Sequence, residues 1–137
     1  MALLVLLVVP LVLLGGCFNQ EAANPATQII EDITLEEAFA LIEDNRGNQD
    51  FIIIDVRTPE EYASGHIERA INLDYYSETF ADELNQLDKE KTYLIYCRTD
   101  HRSGLALDMM AELGFWEVYN LLGGIEQWEE VKLPTVK

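Results

Sequence analysis

The chain has 137 residues, 49% of them hydrophobic, and a formal charge of −16 from 25 acidic side chains against nine lysines and arginines. That length suits one domain with a short targeting segment, and that apolar share argues against wholesale disorder. The charge repels nucleic acid phosphates and anionic lipid headgroups, which disfavours a DNA or RNA partner and leaves a neutral or cationic one open.

In chain order, residues 2–14 are apolar throughout, without a charge or a polar side chain. A run of this length is short for a bilayer span, which takes roughly 20 apolar residues, and it fits the apolar part of a secretory signal. It ends in Leu14-Gly15-Gly16-Cys17, which resembles the lipobox of bacterial lipoproteins, although the basic residues that usually open such a signal are missing. The resemblance implies a signal over residues 1–16 and a lipid on Cys17, whose sulfur is then a thioether. It also implies export to the extracytoplasmic face of the membrane, with the lipid as the only membrane contact. Residues 17–27 lack periodicity and read as a flexible tether, so the folded domain is expected over 28–137.

Within that domain Gln28–Ile33 reads as an edge strand. Thr34 then stands three residues before Glu37, a capping box that opens a helix carrying Leu35, Phe39 and Ile42 at helical spacing. Phe51–Ile54 is short, apolar and rich in β-branched residues, as a parallel strand buried on both faces requires. Thr58-Pro59 with Glu61 forms a second capping box. Residues 70–73 predict a third strand, Phe80, Leu84 and Leu87 mark a helix, and Thr92–Tyr96 is a second buried strand. A helix is predicted over 103–113 with Leu105, Met109 and Leu113 on its inner stripe. Val118–Leu121 is the last strand, and Gly123-Gly124 turns the chain into a helix with Ile125, Trp128 and Val131. Alternating strands and helices predict an α/β sandwich around a largely parallel sheet.

The chemistry points to Cys97, which directly follows a buried strand. With Cys17 eighty positions away, the two cysteines make neither a disulfide framework nor a metal-ligand spacing. Ligands in open α/β sheets collect at the carboxyl ends of strands beside helix N-termini. The short segment Arg98-Thr99-Asp100-His101-Arg102 must curl, and a curled loop turns successive N–H groups inward as an anion nest. Those donors, the helix dipole and two arginines favour a thiolate over a thiol. Burying so many polar side chains beside a core cysteine would be costly without a purpose. No Ser-His-Asp order, metal cluster or dinucleotide fingerprint is present in the sequence.

Cys97-Arg98-Thr99-Asp100-His101-Arg102-Ser103 resembles the active loop of the rhodanese family. Asp55-Val56-Arg57 with Gly65-His66-Ile67 resembles its first signature, and Val118 through Ile125 with Trp128 its last. The resemblance implies a three-layer sandwich and a sulfurtransferase without a cofactor or metal. In that family the cysteine takes a sulfane sulfur from a donor such as thiosulfate or a persulfide, and passes it to a thiol or a protein acceptor. Carried over, Cys97 is nucleophile and carrier, and residues 98 to 103 bind the substrate through their amides. Arg98 and Arg102 hold a donor's sulfonate, with Arg102 also bracing the loop. Four residues separate Cys97 from Arg102. The related phosphatases carry five, so the smaller ring argues against phosphatase or arsenate reductase activity. Asp100 stands where the family often has glycine and lacks glycine's freedom at positive φ, and Arg69 fills a turn often taken by glycine or asparagine, where it strains the turn, adds a cation at the rim or is simply solvated. Asp55 and Arg57 brace the loop from behind or simply fix a turn. His66 reads as structural, and His101 as a residue that touches a substrate or solvent. The protein is expected to be a monomer. The alternative is a rhodanese module that carries or senses sulfur, or docks a partner, without turnover.

Overall fold

The computed structural model describes residues 27–137. The expected signal over 1–16, Cys17 and the tether to residue 26 lie outside the described residues. Ten elements follow one another: β1 (Ile29–Ile33), α1 (Leu35–Asp44), β2 (Phe51–Asp55), α2 (Pro59–Ser64), β3 (Ile71–Asn72), α3 (Phe80–Gln86), β4 (Thr92–Tyr96), α4 (His101–Glu112), β5 (Glu117–Leu121) and α5 (Gly124–Glu130). The strands form one sheet in the order β1-β5-β4-β2-β3, and every pairing is parallel.

The period-2 alternation of the central strands divides the core into two halves. Tyr93, Ile95 and Cys97 face one side with Ile54 and Val56, and are covered by Phe80 and Leu84 of α3 and by Ala106, Leu107 and Met110 of α4. Leu94 and Tyr96 face the other side with Phe51 and Ile53, under Ala38 of α1 and Ile125 and Trp128 of α5. The result is the three-layer sandwich that the resemblance implied. Each fully buried aliphatic or aromatic side chain contributes about 1.5–3 kcal/mol.

Both expected capping boxes form. Thr34 Oγ1 accepts from the amide of Glu37, whose carboxylate accepts from the amide of Thr34, and Thr58 and Glu61 repeat the arrangement. Two expectations about helix faces need correction. Leu105 is exposed and the inner stripe of α4 runs through Ser103, Ala106, Leu107 and Met110. Phe39 is exposed too, lying against Trp128 with ring centroids 6.1 Å apart, while Ala38 holds the buried position of α1. Apolar residues on several sides of each helix leave its phase undefined until the sheet picks a face.

Candidate active site

The chain order sets where this sheet is open. The connection leaving β2 runs outward to β3, whereas the connection leaving β4 runs the opposite way to β5. Adjacent loops that diverge leave a crevice at the carboxyl ends of their strands. The segment after β2 supplies Val56, Arg57 and Thr58 to this crevice, and the segment after β4 supplies Cys97 to Asp100.

Cys97 is 1% exposed, and its sulfur sits on the α4 side of the sheet. Ser103, in the first turn of α4, points its hydroxyl at Cys97 Sγ at 3.3 Å. The helix begins at His101, two residues before the expected start, so Ser103 is already held in helical geometry. A hydroxyl donor and the first turn of a twelve-residue helix therefore lie beside that sulfur.

The backbone of the loop is oriented from behind by α5. The amides of Ile125 and Glu126 donate to the carbonyls of Cys97 and Arg98, each at 3.0 Å. A β-carbon on Gly124 would lie 2.5 Å from the carbonyl oxygens of Cys97, Arg98 and Thr99, and Gly124 has φ +56°. Only glycine accommodates both conditions. The peptide bonds are trans, so each N–H points opposite to its carbonyl. With three successive carbonyls directed at α5, the N–H groups of Arg98, Thr99 and Asp100 are turned away from it. Among the described residues, no amide from Arg98 to Ser103 donates to a backbone carbonyl outside its own helix. In the sequence the glycine pair signals only a turn, because its contact with the loop after β4 is long-range.

The two arginines take different places. Arg102 forms a two-pronged pair with Glu61 of α2, at 2.7 and 2.9 Å, and its guanidinium lies 5.4 Å from the centre of the Tyr76 ring. The hydrogen bonds from Arg102 hold the Glu61 carboxyl down at about 2, well below the usual carboxylate range. Glu61 also accepts from the amide of Thr58, so one carboxylate closes the α2 cap and ties α2 to α4 across the crevice. Arg98 is largely exposed and lies 3.3 Å from Glu126. Thr99 and His101 are exposed, and Asp100 is the N-cap residue of α4, with φ −164° and no side-chain cap bond. That φ lies outside the left-handed region, so the strain expected of a positive φ does not arise at Asp100. Arg69 does adopt φ +70°, and its guanidinium donates to the carbonyls of Asn45 and Asn48 beyond α1.

Asp55 and Arg57 form a buried pair under the β2 side. Arg57 Nη2 lies 2.7 Å from Asp55 Oδ2 and also donates to the carbonyl of Gly65. Asn72 clasps the same turn by donating to the carbonyls of Asp55 and Arg57. Burial works against the charge on Arg57, and the Asp55 carboxylate outweighs it and holds the guanidinium above its usual range. His66 stacks on Tyr62 at 3.7 Å and its backbone pairs with Val136, which makes it structural.

A parallel α/β sheet whose central crevice holds a buried cysteine, on a loop backed by α5, defines an α/β domain with a thiol at the carboxyl ends of its strands. The rhodanese-like domain model matches residues 34–131, and the chain belongs to that family. It is 34% identical over 88 residues to a sulfurtransferase of Allochromatium vinosum, covering 64% of this chain and 80% of that protein. It is 36% identical over 93 residues to the thiosulfate sulfurtransferase GlpE of Coxiella burnetii, covering 68% and 81%. A rhodanese-related protein from Thermoplasma volcanium is similar in structure, with a TM-score of 0.64 at 26% identity over 77% of this chain and 97% of that one.

Proposed function

We propose that the protein moves a sulfane sulfur from thiosulfate or a persulfide, through a persulfide on Cys97, to a thiol or another nucleophilic acceptor. The observation that carries this reading is the direction of the loop carbonyls towards α5, which leaves consecutive amides for an anion at Cys97. The Cys97 thiolate attacks the outer sulfur of the donor, a new S–S bond forms, and the donor's own S–S bond breaks. The electron pair leaves with sulfite or with the carrier thiolate, which takes up a proton. The amides of residues 98 to 103 and the Ser103 hydroxyl hold the charge of the resulting persulfide, as an oxyanion hole holds a developing charge. Arg102 acts through the loop, which it anchors to Glu61.

Intact mass after incubation with thiosulfate or a persulfide tests the reading. One added sulfur on the wild type, removed by cyanide and absent in Cys97→Ser, is the expected result. The exposed Asp100 in the loop and the acidic surface favour one alternative, a carrier that loads once and does not turn over. A single burst of released sulfite would identify that carrier, and continuous release would identify the enzyme. We further propose that the domain works as a monomer, exported and anchored through a lipid on Cys17. Palmitate labelling that persists in Cys17→Ala would remove the anchor.

A further inference from the structure

Both arginines that the family resemblance assigns to a donor's sulfonate are engaged by carboxylates. Arg102 is forked onto Glu61 and Arg98 is beside Glu126. Two depressions flank the loop, and both are acidic. One is lined by Arg57, Arg98, Glu61, Glu126 and Glu129, and its Arg57 is already matched by the buried Asp55. The other is lined by Asp32, Asp100 and Asp108. Six carboxylates therefore line the two depressions, and the segment between them brings two cations, Arg98 in the first and Arg102 held on Glu61. The exposed Arg98–Glu126 pair opens at little cost, but swinging Arg98 leaves both charges in the neighbourhood. At moderate salt, charges within about 8–10 Å still act on an incoming ion, so the sum decides. A dianion approaching a thiolate through this field is repelled by both. A neutral carrier is indifferent to it, and a cationic carrier is drawn in.

We propose that the donor for this site is a persulfide on a neutral or cationic carrier, and that the surrounding carboxylates select against thiosulfate and anionic persulfides. The inference rests on the Cys97 chemistry proposed above. In the step itself the Cys97 thiolate attacks the terminal sulfur of R–S–SH and the bond between the donor's two sulfurs breaks. The bonding pair leaves on R–S⁻, which takes the proton, giving R–SH and the Cys97 persulfide anion. No external oxidant or reductant enters.

A series of persulfides with one chemistry and three charges isolates the effect: those of cysteamine, 2-mercaptoethanol and 3-mercaptopropionate. The rate of single-sulfur loading on Cys97 is read by mass at low and at high ionic strength. The neutral carrier is expected to load at least about fivefold faster than the anionic one at low salt, with the cationic carrier at least as fast as the neutral. Added salt compresses the series. Glu126→Gln with Glu129→Gln should narrow the neutral-to-anionic ratio at least about twofold. The same charge change in Glu90→Gln with Glu112→Gln should leave it alone. Glu90 precedes β4 at the amino end of the sheet, and Glu112 lies 11 residues along α4 from His101, about 16 Å away. Equal rates across the series, or equal effects of the two double variants, would overturn the selectivity while leaving the persulfide chemistry in place. A Cys97 that gains no sulfur from any donor would overturn both.

Discussion

Asp55 and Arg57 are two residues apart at the end of β2, and the turn between them is held by charges sealed from water. Removing one partner leaves the other buried without compensation. Asp55→Ala is therefore expected to cost about 3–5 kcal/mol, read as a lower urea midpoint with an unchanged slope. An unaltered midpoint would show that water already reaches Arg57. The sequence shows this pair, and its spacing fits a fixed turn as well as a brace. The hydrogen bonds to Gly65 and from Asn72 tie it to the turn leading into α2. Asp100 shows the opposite limit. Its identity suggests strain at positive φ, but φ depends on how α4 starts, and the early start at His101 leaves Asp100 at a negative φ.

At the scale of elements, α5 sets the loop after β4, and Gly124 is the point of contact. Gly124→Ala drives a methyl group into three carbonyls, which must move and take their amides with them. Sulfur loading of Cys97 is expected to slow about tenfold, or about 1.4 kcal/mol of activation free energy, with the far-UV spectrum unchanged. Loading at the wild-type rate would show that the loop holds its shape unaided. The α2–α4 clamp has a pH signature. Glu61 has its folded value lowered to about 2 from an ordinary 4.5. Its stabilisation is present above about pH 4.5 and fades as pH falls towards 2. Because the carboxylate is partly exposed, its worth is about 1 kcal/mol. The difference in unfolding free energy between wild type and Glu61→Gln should be constant above pH 5 and shrink below 4.5. A difference that holds level down to pH 2 would exclude the clamp as its source. Neither contact was readable beforehand. Glu61 was already accounted for by its capping box, and Gly124 by its turn, so a second, long-range duty left no trace in local spacing. The strands, caps and Cys97 loop were legible because each depends on neighbours within a few residues.

Over the whole molecule, net charge and topology act together. A chain at −16 repels itself in the compact state, so moderate sodium chloride should raise the melting temperature by a few degrees near pH 7. Melting that is indifferent to salt would mean that local pairs, such as Arg102 with Glu61, already balance the surface. Among the described residues β1 is an edge strand, and Glu31 and Asp32, exposed along it, discourage pairing with another sheet.

Because all five strands run the same way, the chain enters the domain at one rim of the sheet, and Cys97 stands at the other. Whatever precedes Ile29 therefore joins on the side remote from the sulfur, about 16 Å away along strands of five residues. A protein tied to a surface through its first residues would be joined to it at the rim opposite its sulfur, so the joint itself would not cover the crevice.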